Sequence, residues 1–384
     1  MRPIVPVGRV VGLDVARCLA LIGMIATHAL VAVDEDGVTF VQQLAGGRAS
    51  ALFAVLAGVS LALMTGGSSP LRGREREAAA GGLVVRALIV AGIGMALGGL
   101  GSGIAIILTY YGLLFLLGIP FLRLRARSLA VLSGIWLLVV PVLSHLLRPH
   151  LPDPTLASPR FEMLTAPWQL VTELAFTGYY PVVPWMAYLL AGMAVGRLDL
   201  SRTSNAVRVL VSGALVAAAS WFLSEALLAR PGVMETLQRT YDAPRAGELE
   251  EVLAHGLFGT TPTGSWWWLA VKAPHSGTPF DLAHTIGCAL LVIGACLLVS
   301  RLAPQVIAVV FGAGAMTLTL YSLHVVMRMP QIWPEDNTET FVKHVLLVVS
   351  IGALFRLRAV RGPLEAIVKQ LSDTARESVR RTAG

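Results

Sequence analysis

Four side chains near the start of the chain have types and spacing suited to a shared chemical surface: Asp14, Arg17, Met24 and His28. At about 100° per helical residue, Arg17 and His28 differ by only about 20° around the axis. One helix face would then carry a carboxylate and a guanidinium at one end and an imidazole at the other. Asp14 and His28 would stand about 21 Å apart along the axis, too far for the carboxylate to orient the ring. The Asp14–Arg17 pair is at i,i+3, where it either neutralises itself and positions a substrate or contacts an anionic cofactor. An imidazole can take a proton from a hydroxyl or amine near neutral pH, which is general-base work.

Two further histidines join this set. His324 follows Tyr321 by one helical turn, and His284 follows Asp281 by three residues. A lone histidine in an apolar helix is often a satisfied core residue; three at one depth point to a polar cavity. Asp281 would set the tautomer of a neighbouring imidazole. The same rings are potential metal ligands, but no ligand spacing marks a site and no metal is expected. Arg48 opens the second apolar segment, either snorkelling to the interface or contacting an anion or carbonyl in the cavity. Glu225 and Lys343 read as solvated groups at helix ends.

The elements that must position these residues are membrane spans. Of 384 residues, 55% are apolar and 14% charged, against about 25% charged in a soluble domain. Soluble, disordered, coiled-coil and collagen-like classes are excluded. The pattern predicts an all-α, polytopic integral membrane helix bundle with about ten spans: 10–33, 48–66, 83–100, 104–122, 129–147, 181–198, 206–228, 281–300, 304–328 and 341–357. Alternating barrel strands are absent from the pattern. One set of loops, with both chain ends, holds 21 of the 30 basic residues and seven of the 23 acids. Those loops are expected to be cytoplasmic, with both termini inside and the protein multi-pass in the cytoplasmic membrane. The net charge of +7 is then a product of topology, and no nucleic-acid partner is expected. The first span carries Asp14, Arg17 and His28 and no convincing cleavage site, so it reads as a retained helix.

On the opposite side, residues 148–180 include an expected interfacial helix near Trp168–Phe176. Residues 229–280 carry Glu248, Glu250 and Glu251, then Trp266, Trp267 and Trp268, a membrane anchor or a sugar or lipid platform. The expected division is a membrane domain over 1–357 and a basic amphipathic tail over 358–384, with a surface helix over 363–372. Small residues at four-residue spacing, Gly94–Gly98 and Gly192–Gly196, permit close helix packing and equally suit a homodimer. Cys18, Cys288 and Cys296 lie in apolar stretches and read as core residues. No Walker loop, GxGxxG or HExxH is present.

Several stretches resemble a known family. GLDVARCLALIGMIATHA (12–29) resembles the first helix of transmembrane acyltransferases, where Leu-Asp-x-x-Arg-Gly precedes an apolar run and a polar residue that is often His. GGRASALFAVLAGVSLAL (46–63) is similar to the second-helix segment of YeiB-like bacterial proteins. GYYPVVPWMAYLLAGMAVGR (178–197) resembles a helix of heparan-α-glucosaminide N-acetyltransferase relatives. SGTPFDLAHTIGCALL (276–291), GAMTLTLYSLHVV (314–326) and RGPLE (361–365) resemble the C-terminal half of YeiB-like proteins. Cys18 stands where the family usually has Gly.

The resemblance implies an enzyme that uses cytoplasmic acyl-CoA, acetyl-CoA by family default. It passes the acyl group to a hydroxyl or amine of a saccharide or glycolipid on the far side. His28 is then the base, with Asp281, His284, Tyr321 and His324 as support. Asp14, Arg17 and Arg48 would contact the donor. Arg72, Arg74 and Arg76, with Arg123 and Arg125, would bind CoA phosphates or serve topology alone. A multi-pass transporter or lipid exporter is the alternative.

Overall fold

The structure, a computed structural model, describes residues 4–6, 8–35, 37–241, 249–333 and 335–382; Glu248 lies outside them. The order begins with α1 (Val11–Ala29), a two-residue hairpin of β1 (Val33–Asp34) and β2 (Gly37–Val38), α2 (Phe40–Ala45), α3 (Arg48–Met64), α4 (Gly73–Gly98), α5 (Leu108–Gly118), α6 (Ala126–Leu147), α7 (Pro167–Thr172) and α8 (Val182–Gly196). It continues with α9 (Thr203–Leu228), α10 (Val233–Thr240), α11 (Leu249–His255), α12 (Pro279–Val299), α13 (Pro304–Val310), α14 (Thr317–Met327), α15 (Thr338–Leu357) and α16 (Pro363–Thr382). The fold is an all-α polytopic membrane bundle. Among the described residues, seven helical stretches are long and apolar enough to cross a bilayer, and three shorter apolar helices, Leu108–Phe121, Val182–Gly196 and Thr317–Met327, accompany them. Each of these ten segments overlaps one of the ten expected stretches, and seven have the length to cross a bilayer.

Two boundaries differ from expectation. α4 begins at Gly73, ten residues early, because Arg74, Glu75 and Arg76 extend the apolar helix by polar turns. The expected ninth span, 304–328, is broken: a 3-10 turn at Gly312–Ala315 separates α13 from α14. The break follows from close approach to α1. A Cβ on Gly314 would lie 1.8 Å from the backbone oxygen of Asp14. A continuous helix bearing side chains there would push the first turn of α1 away.

α8 is the central column: Trp185, Met186, Leu189, Leu190 and Met193 are all buried. It packs on α3 and α6, while α9 pairs with α12 and α4 with α5. Gly192 lets α8 touch the α3 backbone, since a Cβ there would meet the Val55 oxygen at 1.9 Å. Arg197, directly after α8, is buried. It donates to the carbonyls of Ala62, Thr65, Gly67, Leu122 and Leu124. One guanidinium thus satisfies the open end of α3 and the turn after α5.

The basic loops share one face of the bundle, here the basic face. Both α1 and α15 have an end there, where Arg356 Nη2 comes within 4.0 Å of Asp14 Oδ2. α16 runs well beyond the expected 363–372 and packs along α4, burying Val368 and joining Arg376 and Arg380 to Glu75. On the opposite face, Val233, Leu237, Leu249, Leu257 and Trp268 form a second small core. The tryptophan run is therefore divided. Trp268 is fully buried and donates to Thr240 Oγ1, and only Trp266 is largely exposed. The expected interfacial helix is α7 followed by a π-type turn at Glu173–Thr177.

Candidate active site

The first turn of α1 organises the basic end of the site. Asp14 is 2% exposed, and a buried carboxylate must be paired. Arg9 donates to both of its oxygens, Nε to Oδ2 at 2.6 Å and Nη2 to Oδ1 at 2.9 Å. Arg17 Nη1 donates to Oδ1 at 3.0 Å, and Arg17 Nη2 reaches Ser60 Oγ on α3 at 2.8 Å. With Arg356 adjacent, three guanidinium groups surround one carboxylate. The cluster keeps a positive surplus suited to a polyanion.

Arg9 and Arg17 open onto a cavity of about 400 Å³. Arg86 and Glu365 also line its basic end, and Phe53, Leu56, Tyr111 and Tyr321 line its depth. Glu365 closes one wall: its carboxylate accepts from the backbone N–H groups of Leu318 and Thr319 at the start of α14, at 2.7 and 3.1 Å. This is a long-range N-cap that ties α16 to the broken span.

A second cavity, of about 120 Å³, lies toward the opposite face. His28, Gln42, Tyr179, Tyr180, His255 and His275 line it. Gln42 Nε2 donates to the His255 carbonyl at 2.5 Å. His275 sits in the left-handed region at φ +56° and packs on Tyr179 at 4.7 Å. Desolvation among these rings, with His255 adding to it, pushes the His275 imidazole down to about 4, so it is neutral at pH 7. Burial likewise pushes the Tyr179 hydroxyl up to about 12. His275 and Tyr179 therefore present neutral hydrogen-bonding groups beside aromatic faces, a lining suited to a hydroxylated ring.

Met24 lines both cavities. It stands one turn before His28 on α1, so one side chain marks where the two spaces meet. Tyr111 Oη, from the basic-face cavity, donates to the Ser50 carbonyl beside the other at 3.3 Å.

The structure brings some of the expected residues together and separates others. His28 Nδ1 and His324 Nε2 are 3.2 Å apart, with their rings nearly parallel. Tyr321 lies in the wall of the basic-face cavity. His284 belongs to a different cluster: Nδ1–H donates to the Ala217 carbonyl at 3.1 Å, leaving Nε2 to accept from Arg48 Nη2 at 3.2 Å. Asp281 accepts from the backbone N–H of Gly277 at 3.0 Å, a loop contact in place of the anticipated imidazole. Arg76 and Arg123 flank a separate open hollow; Arg74 lies in the first turn of α4, and Arg72 and Arg125 directly precede α4 and α6. Glu225 pairs with Lys272 at 2.6 Å, and Lys343 pairs with Glu339. Among the described residues, no group of three or more His, Cys, Asp or Glu side chains could hold a metal ion.

Sequence reasoning missed Arg9 and Arg86, counted only as loop charge, and His344. His344 follows His324 in space, Nδ1 to Nδ1 at 3.1 Å. Its own signal, one imidazole near the start of an apolar helix, is weak without the partner's position.

Among curated proteins, none matches the chain. A family model, heparan-alpha-glucosaminide N-acetyltransferase, catalytic, matches residues 9–229, which hold Arg9, Asp14, Arg17, Met24, His28 and Arg86. That stretch is more than half of the chain and runs from the arginine cluster through α9. The chain belongs to the heparan-alpha-glucosaminide N-acetyltransferase catalytic-domain family of membrane acetyltransferases.

Proposed function

We propose that the protein takes an acetyl group from cytoplasmic acetyl-CoA and delivers it to a hydroxyl or amine of a saccharide or glycolipid on the far side of the cytoplasmic membrane. The observation that carries this reading is the pair of cavities sharing Met24, one ending in guanidinium groups and the other holding His28. CoA is a polyanion that cannot cross lipid. Arg9, Arg17 and Arg86 supply charge-assisted hydrogen bonds for its phosphates at the basic face. A slim thioester arm fits the apolar depth of the 400 Å³ cavity. The acyl carbon then has only the thickness of one methionine left to cross.

At that point His28 takes the acceptor proton as the acceptor oxygen or nitrogen attacks the thioester. Tyr179, Tyr180 and His275 hold the acceptor ring, and the small volume of their cavity limits entry to the end of a glycan. The test is transfer of labelled acetyl from acetyl-CoA to a panel of envelope saccharides by purified protein in nanodiscs. His28→Ala is expected to lower kcat by about 10²–10⁴ with CoA binding retained. Transfer by His28→Ala at the wild-type rate would remove His28 from the role of base. Movement of a saccharide across the membrane without covalent change would favour a transporter.

A further inference from the structure

Two further imidazoles stand in line with His28. His28, His324 and His344 come from α1, α14 and α15 and stand in series, at 3.2 Å and then 3.1 Å between ring nitrogens. His324 and His344 are fully buried. His344 Nε2 is buried and has no hydrogen-bond partner among the described residues. The Trp333 ring stands nearly perpendicular to His344 at 4.8 Å. An apolar side chain would fill such a core at less desolvation cost than three linked imidazoles.

Each ring-to-ring contact needs one N–H and one lone pair. For His28 to act as a base through Nε2, its own proton must sit on Nδ1 and point at His324 Nε2. His324 then carries its proton on Nδ1 and donates it to His344 Nδ1. His344 must carry its proton on Nε2, the nitrogen without a partner. The base-competent state of His28 thus fixes the tautomer of all three rings.

We propose that these three histidines are a proton relay, in which the acceptor's proton is held as charge on His344 and returned to the departing CoA sulfur. The proposal rests on the acyltransferase reading. As the acceptor X–H bond breaks and the X–C bond forms, the proton binds His28 Nε2. The His28 Nδ1 proton passes to His324 Nε2, and the His324 Nδ1 proton passes to His344 Nδ1. His28 and His324 are then neutral with reversed tautomers, and His344 is an imidazolium. When the C–S bond breaks, its electron pair leaves on sulfur. The His28 Nε2 proton goes to that sulfur, and the shifts run backward. No proton is gained or lost over the cycle, and the charge spends its lifetime away from the reacting carbon.

Arg328, at the end of α14, is a cation close enough for its charge to act on all three rings. It pairs with Asp336 and donates to the Glu335 carbonyl at 2.8 Å, which offsets its repulsion of an imidazolium. Lys343 lies over the Trp333 ring at 5.5 Å and is paired with Glu339. His275 faces His28 across the small cavity.

The experiment uses the full chain in nanodiscs with acetyl-CoA and the best saccharide of the panel. In wild type, rate against the fraction of deuterium in the solvent should be curved, since several protons move together. In His344→Gln it should be linear, with kcat lowered about ten- to a hundredfold and KM for acetyl-CoA within about twofold. Histidine 15N spectra of the unmodified protein should show His28 protonated on Nδ1 and His344 on Nε2. A packing role alone would alter folding and binding without straightening the isotope curve. The relay is overturned by a linear wild-type curve, by His344→Gln with kcat within twofold of wild type, or by a His28 resting with its proton on Nε2. Absence of transfer by the wild type overturns the acyltransferase reading itself.

Discussion

Replacing Asp14 with Asn separates two roles for the arginine cluster. The carboxylate receives three hydrogen bonds, two from Arg9 and one from Arg17. Asparagine keeps the shape but offers a single carbonyl oxygen and turns an NH₂ toward the second guanidinium. Breaking a buried ion pair costs about 3–5 kcal/mol. Arg9 and Arg17 keep 31% and 22% of their side chains exposed, so water recovers part of that loss. The expected destabilisation is therefore about 2–4 kcal/mol, read by thermal unfolding in detergent. Anion binding should move the other way. Removing the one carboxylate from among three guanidinium groups raises the positive surplus, so calorimetric Kd for CoA should hold or tighten. Arg17→Gln removes a cavity-facing cation and should weaken CoA about tenfold. An Asp14→Asn protein as stable as wild type that no longer binds CoA would refute this division of roles, because Asp14 would then be contacting the ligand.

Two further substitutions follow from the packing. Met24→Ala should join the two cavities and admit water, so hydrolysis of acetyl-CoA without acceptor rises about tenfold or more, measured by thiol release. Its stability cost should sit at the low end of the usual range, about 2 kcal/mol, because Met24 already faces open space on both sides. Arg197→Met leaves five carbonyls without their donor and should cost about 3–5 kcal/mol in unfolding experiments. At a temperature where that variant stays folded, its kcat for transfer should match wild type.

The spans were legible because bilayer depth imposes an apolar run about 20 residues long, and the arginine-rich loops interrupt those runs cleanly. The shared face of Arg17, Met24 and His28 was legible for a similar reason, since helical period alone places them. The approach of His28 to His324 could be suspected from depth, but depth also suggested His284, which a different set of neighbours holds. Contacts between helices depend on rotation about each axis, and an almost uniformly apolar helix such as α12 does not betray its rotation. Arg9 lies before the first helix, where a cation reads as loop charge until Asp14 is seen to face it. The break in the ninth span left a trace in the run Gly312, Ala313, Gly314, Ala315, which small-residue packing explains equally well without the Asp14 backbone in view. The role of Glu365 needs α16 folded back onto α14, a contact between elements 46 residues apart at Thr319.

The three short helices bear on how the protein enters the membrane. α14, with 11 residues, rises only about 16 Å, roughly half the thickness of the hydrocarbon layer. α5 and α8 are short in the same way. None can be threaded into lipid alone without leaving backbone groups unpaired against it. They must enter beside longer neighbours already in place: α5 beside α4, α8 beside α3, and α14 beside α1. α5 and α14 carry Tyr111, Tyr321 and His324. During synthesis the interior that holds these side chains is thus expected to close only after the longer helices beside it have been inserted.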